Sequence, residues 1–234
     1  MERDTLLHSK KNLKRLLRKI QKYPKTRDKE DVDTAVNSLD FYHCIRQENI
    51  LQVLNDKKIQ IKRQIIHAKL TNNSSDFYQG FDKYLSMSIG KPWTEYGPFA
   101  FVFGLDKISP NALFFFKDPY KWDAQGLYNN VLVKKDVITL SKELLSRNLL
   151  FINKRTIIKA PYKKDLFNLA RYNLRRFEVK QPGALKIQDA VEFIAYSGFE
   201  KFARTFNRIF YNPIILAMFV ILAIVLWLQA RGIL

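Results

Sequence analysis

The feature that most constrains this chain is the run from Ile214 to Leu228, fifteen residues without a charge or a strongly polar group. With Phe210, Tyr211 and Pro213 it approaches the roughly twenty residues that cross a bilayer core. Eleven of the fifteen are Leu, Ile, Val or Phe. At about −0.3 to −0.6 kcal/mol each near a helix centre, they favour insertion by a few kcal/mol. A single C-terminal transmembrane helix over 211–229 is expected, followed by a short tail, 230–234. Asn212-Pro213 supplies an N-cap and a first helical residue. Tyr211 and Trp227 are the candidate membrane-interface aromatics. A buried helix of a soluble domain is the competing reading, although such helices seldom run this long without a polar face.

Lys201, Arg204 and Arg208 precede the run and only Arg231 follows it. The bias of cations toward the inner side of a membrane places the body in the cytosol or the mitochondrial matrix. The stretch 184–210 reads as an amphipathic juxtamembrane helix. Ile187, Val191, Ile194, Ala195, Phe199, Phe202, Phe206 and Ile209 share one side, and Lys186, Glu192, Lys201, Arg204 and Arg208 the other. Such a helix suits either lipid headgroups or the core of the body. In the first case Lys201, Arg204 and Arg208 bind anionic lipid, cardiolipin being one candidate.

The formal charge is +18, from 40 Lys and Arg against 22 Asp and Glu. Anionic lipid, RNA and acidic protein faces are the partners such a charge selects. RNA needs basic residues interleaved with aromatics. Here the densest aromatics, 99–116, are poor in Lys and Arg, and the densest basic runs, 10–22 and 154–176, hold few aromatics. Nucleic acid is therefore not expected. Cys44 is the only cysteine, so no internal disulfide forms.

The pattern predicts a mainly α fold with a small β hairpin. Residues 1–23 form a basic amphipathic helix, with Leu13, Leu16, Leu17 and Ile20 at helical spacing among the seven Lys and Arg of 10–22. It reads equally as an uncleaved targeting segment or as a helix docked on the body. Residues 24–75 are expected to be helical, on Val32, Ala35, Val36, Leu39 and Tyr42 and then Ile50, Val53 and Leu54. Residues 76–138 form an aromatic-rich β or irregular segment. Its strands at 99–103 and 112–116 form a hairpin, or an extended piece that packs only on a partner, and Val131-Leu132-Val133 adds a strand. A basic helical segment follows at 139–183, with Ser141 as N-cap of one helix. Leu16-Leu17-Arg18 in the first helix, with two further helices behind it, resembles the LYR-motif family of small mitochondrial proteins. Leu17 stands where that family has Tyr, and the likeness covers the first quarter of the chain.

Catalytic chemistry is not legible. His8, His43 and His67 with Cys44 lack the paired spacing of a zinc site. His43 and Cys44 are sequence neighbours, without a third group to orient them as a catalytic pair. Gly90-Lys91-Pro92 lacks the rest of a phosphate loop, and no dinucleotide, nucleophile-elbow or zinc-protease motif occurs. Asp31, Asp33, Asp118 and Asp123 are scattered. No enzyme activity, cofactor or metal is expected. The sequence points to a non-catalytic accessory subunit of a mitochondrial inner-membrane respiratory-chain or ATP-synthase complex, its partners being the other subunits and anionic lipid. The alternative is a tail-anchored, cytosol-facing adaptor of the outer membrane or endoplasmic reticulum.

Overall fold

A computed structural model describes residues 3–61, 81–116, 128–153, 156–158 and 173–196. The chain divides into two compact units, Met1–Ile194 and Ala195–Leu234.

Four α-helices are described: α1 (Arg3–Ile20), α2 (Lys29–Asn37), α3 (Ile50–Asp56) and α4 (Lys134–Ser146). The strands are β1 (Asp40–Ile45), β2 (Lys58–Ile59), β3 (Tyr84–Ile89), β4 (Phe99–Gly104), β5 (Leu113–Phe115) and β6 (Val131–Val133). They continue with β7 (Phe151–Asn153), β8 (Thr156–Ile158), β9 (Glu178–Pro182), β10 (Leu185–Lys186) and β11 (Glu192–Ala195). Seven strands form one antiparallel sheet in the order β11-β4-β1-β3-β9-β5-β6. β10 pairs with β2, and β7 with β8.

This sheet overturns the mainly α expectation. The helical pattern across 24–75 breaks at Ser38, the C-cap of α2. After Leu39, the six residues Asp-Phe-Tyr-His-Cys-Ile are the strand β1. Leu39 and Tyr42 had continued the period of α2 only by coincidence. Aromatic and β-branched residues there gain more from cross-strand packing than from a helix. The expected strands at 99–103 and 112–116 exist but do not pair with each other. β1, β3 and β9 lie between them. The juxtamembrane helix is corrected over its described part: Leu185–Lys186 and Glu192–Ala195 are strands with a 3-10 turn between them. Phe193 stacks on Phe99 and lies tilted against Phe101 of β4, at centroid distances of 6.0 and 4.8 Å, which holds this segment as an edge strand. Ser141 is buried inside α4 rather than capping it. The third helix of the LYR likeness is also displaced, since β1 follows α2.

No helix among the described residues is long and apolar enough to cross a membrane. The longest, α1, is amphipathic and highly charged. The span expected at 211–229 lies outside the described residues. The membrane-spanning, mitochondrial and respiratory-chain assignment that depended on it is withdrawn.

Alternation gives the sheet two faces. Phe41, Met87, Ile89, Phe103, Phe114, Leu132 and Val179 share a core with Leu16 and Ile20 of α1, Val32 and Val36 of α2, and Val137, Leu140 and Leu144 of α4. Within the aromatic segment, Phe103 and Phe114 are fully buried in this chain's own core. Polar contacts also lock α1 down. Asn12 Nδ2 donates to the carbonyls of Tyr128 and Val131, both at 2.8 Å. Ser9 Oγ accepts from Val133 N at 2.9 Å and donates to the Asp136 carboxylate.

Candidate functional site

The second face of the sheet is where charge is buried. β3 and β9 pair with Ser86 opposite Lys180 and Ser88 opposite Glu178. β1 sets Tyr42 opposite Ser88, and β5 sets Phe115 opposite Glu178. Residues opposite one another in an antiparallel pair point to the same face. The result is a polar row, Tyr42-Ser88-Glu178, beside a second one, Ser86-Lys180, bounded by Phe81, Phe115, Val131, Tyr84 and Leu113.

Lys180 is the centre of this set. Its side chain is 0% exposed, and its Nζ lies 2.7 Å from Glu178 Oε1. The same Nζ donates to Ser86 Oγ at 2.7 Å and sits 4.9 Å from the centre of the Phe81 ring. Ser88 Oγ donates to the Lys91 carbonyl at 2.6 Å. Taking both charges out of water costs several kcal/mol per ion, offset by their attraction and by these hydrogen bonds. An apolar pair of the same volume is commonly as stable or more so. The pair is thus poorly explained by stability alone, and buried charge with defined partners marks candidate functional sites.

Beside it, β1 and β3 keep register only at Phe41–Ile89 and Tyr42–Ser88, although each strand has six residues. Past Tyr42 the two strands part. His43 bridges the opening, its Nδ1 lying 2.9 Å from the Ser86 carbonyl oxygen. Burial lowers the His43 pKa, and the bond to Ser86 partly opposes this. The neutral ring donates from Nδ1 and fixes the backbone of the residue whose side chain receives Lys180.

Two chemistries can be weighed. A Ser–Lys spacing of 2.7 Å is that of a nucleophile and its base. Here, however, Glu178 stabilises the ammonium form, so Lys180 acts as a donor and has no lone pair for Ser86. The arrangement is better suited to holding a ligand, with Glu178 as acceptor and the hydroxyls as adaptable partners. No cluster of His, Cys, Asp and Glu that could hold a metal occurs among the described residues.

The residues singled out from sequence do not meet here; His43, opposite Phe101 on the core face of β1, touches only the backbone carbonyl of Ser86. Lys201, Arg204, Arg208, Tyr211 and Trp227 lie outside the described residues, as do His67, Asp118 and Asp123. His8 stacks on Tyr128 at 4.9 Å, and Asp33 pairs with Lys142 at 2.6 Å on the surface. Gly90, at φ +67°, forms a turn packed under Ile157. Glu178, Lys180, Ser86 and Ser88 were missed. The signal was available in Phe177-Glu178-Val179-Lys180-Gln181, where charge and apolar residues alternate with the period of a strand. A shallow groove of about 300 Å³ lies elsewhere, on α1, lined by Lys10, Leu13, Lys14, Leu17, Arg18 and Gln21. The chain matches no protein-family model and no curated protein sequence.

Proposed function

We propose that this chain is a binding domain for a small polar ligand, taken on the second face of the sheet where β1 and β3 part. The observation that carries the reading is the Glu178–Lys180 pair, desolvated at the middle of a sheet where apolar residues would serve the fold equally well. Glu178 is the acceptor for hydroxyl or amine donors of the ligand. Lys180 holds that carboxylate in place, and Ser86 and Ser88 add hydroxyls. The half-buried Ser86 and Tyr84 mark the reachable side of the site.

The test is thermal unfolding of the full chain against a panel of nucleotides, nucleosides, sugars, amino acids and polyamines. A ligand at a hundred times its Kd stabilises by about 2.7 kcal/mol. At about 2–4 °C per kcal/mol for a chain of this size, Tm rises by roughly 5–10 °C. The Glu178→Gln variant, if folded, loses that shift. A flat panel at 10 mM ligand refutes the proposal. The competing proposal is a non-catalytic accessory subunit or adaptor, favoured by Lys10, Lys11, Lys14 and Arg18 of α1, which pair with no carboxylate among the described residues. It predicts a flat panel together with co-migration in a large complex.

A further inference from the structure

We infer that the outward face of α1 is an adsorption surface for an anionic lipid headgroup layer, independent of the ligand site on the sheet. Successive helix residues turn by about 100°. Thr5, Ser9, Asn12, Leu16 and Ile20 therefore share the docked side, and all five are buried. Leu7, Lys11, Lys14 and Arg18 project on the opposite side, within about 60° of one another. Lys10 and Gln21 stand at one margin, with the half-buried Leu13 and Leu17 below them. Among the described residues no carboxylate pairs with Lys10, Lys11, Lys14 or Arg18. Like charges at i,i+4, such as Lys10–Lys14–Arg18, destabilise a helix. Among the described residues no ion pair offsets that repulsion, whereas an external anionic surface does.

The shape selects among anionic partners. The residues lining the groove belong to α1, except Gln21, which directly follows it, so the surface is the flank of a ridge and not a cleft between elements. An acidic protein needs a complementary contour, which a ridge of flexible Lys stems does not provide. Nucleic acid gains from aromatic stacking or base-edge contacts, and the face holds no aromatic. Leu7 stands at its N-terminal end, one turn from Lys10 and Lys11, and is 67% exposed. An apolar side chain among cations is a liability against phosphate in water. It is an asset at a headgroup layer, where the leucine enters the acyl boundary while the cations meet the headgroups. This is peripheral adsorption and requires no spanning helix.

The experiment measures partition of the full chain onto phosphatidylcholine vesicles and onto the same vesicles with 30 mol% phosphatidylglycerol. Each cation near the surface contributes about a factor of five. The variant Lys10→Gln/Lys14→Gln/Arg18→Gln is expected to lose roughly a hundredfold on the anionic vesicles and to match the wild type on the neutral ones. Binding through the apolar run 214–228 is common to both proteins and cancels in the comparison. A charge-matched control, Lys58→Gln/Lys83→Gln/Lys135→Gln, removes three exposed cations away from α1 and should lose less than tenfold. Leu7→Ser should weaken anionic binding several-fold with no change of charge. Equal losses in the two triple variants would show that only net charge matters and overturn the inference, as would no loss in either. Tighter binding of the wild type to a 20-nucleotide RNA or to polyglutamate than to the anionic vesicles, lost in the α1 variant, would assign the face to another polyanion and also overturn it.

Discussion

The Glu178–Lys180 pair gives the sharpest test of the fold and of the proposed site together. Lys180→Met keeps the length and apolar stem of the side chain and removes the ammonium. It leaves Glu178, whose side chain is 10% exposed, without its 2.7 Å partner, and Ser86 Oγ without its donor. Breaking one side of a buried pair costs about 3–5 kcal/mol, because a desolvated charge is left behind. At about 2–4 °C per kcal/mol, the Tm should fall by roughly 6–20 °C. Glu178→Leu should cost a similar amount, since it strands the fully buried ammonium. The double variant Glu178→Leu/Lys180→Met removes both charges and should return to within about 1 kcal/mol of the wild type or exceed it. Urea denaturation at pH 7, followed by circular dichroism, gives all three differences and their coupling energy. A single-variant cost under about 0.5 kcal/mol, the size of an ordinary surface substitution, would mean that the pair is not desolvated, and the case for the site would fail. A double variant as unstable as the sum of the singles would show that the losses reflect packing and not charge.

Three further outcomes follow from the geometry. Burial lowers the pKa of His43, so the unfolded chain takes up its proton first as pH falls; the stability it contributes is complete above about pH 6.5 and is lost below it. The urea midpoint of the wild type should therefore drop further between pH 7 and pH 5 than that of His43→Gln. A Cβ on Gly97 would meet the Ile45 carbonyl oxygen at 2.0 Å and Arg46 N at 2.6 Å, both backbone, so Gly97→Ala should cost at least the roughly 1–3 kcal/mol of ordinary overpacking. Gly183→Ala, at φ +75° with open space around it, should cost only about 1 kcal/mol, and thermal melts of the two should differ accordingly. Asn12→Leu removes two hydrogen bonds that seat α1, to Tyr128 O and Val131 O; a loss of about 2 kcal/mol is expected, read as faster amide exchange in α1.

Parts of the architecture could be read without coordinates. The Leu16 and Ile20 spacing belongs to a real helix, and Phe99–Gly104 and Leu113–Phe115 carry the aromatic content of strands. What escaped was non-local. β1 reads as a continuation of α2, because Val32, Val36 and Leu39 fit a helical period and only pairing with β3 and β4 reveals the strand. β4 and β5, separated by a turn-rich stretch, look like a hairpin; β4 burial on both faces shows instead a strand flanked on both sides, whose partners β11 and β1 are far away in sequence. At 184–195 helical spacing coexists with β structure, because the contacts of Phe193 with Phe99 and Phe101 outweigh local preference. The candidate site was invisible for the same reason: Ser86 and Lys180 are 94 residues apart and meet only through sheet register.

These corrections also change what the composition means. Phe103, Phe114 and Phe116 fill the interior of this chain, so the aromatic segment no longer argues for a partner that would complete it. Charge divides into two kinds with opposite physics. Inside, Lys180 is matched by a carboxylate, and its cost is desolvation, which salt hardly alters. Outside, the row on α1 has no carboxylate partner among the described residues, and its cost is mutual repulsion, which salt screens and an anionic surface reverses. A partner that neutralises the row has no reason to touch the pair, and a ligand that exploits the pair gains nothing from the row. The proposed ligand binding on the sheet and the proposed surface binding on α1 are therefore separable, and the Glu178 variant and the Lys10/Lys14/Arg18 variant should each abolish one while leaving the other intact.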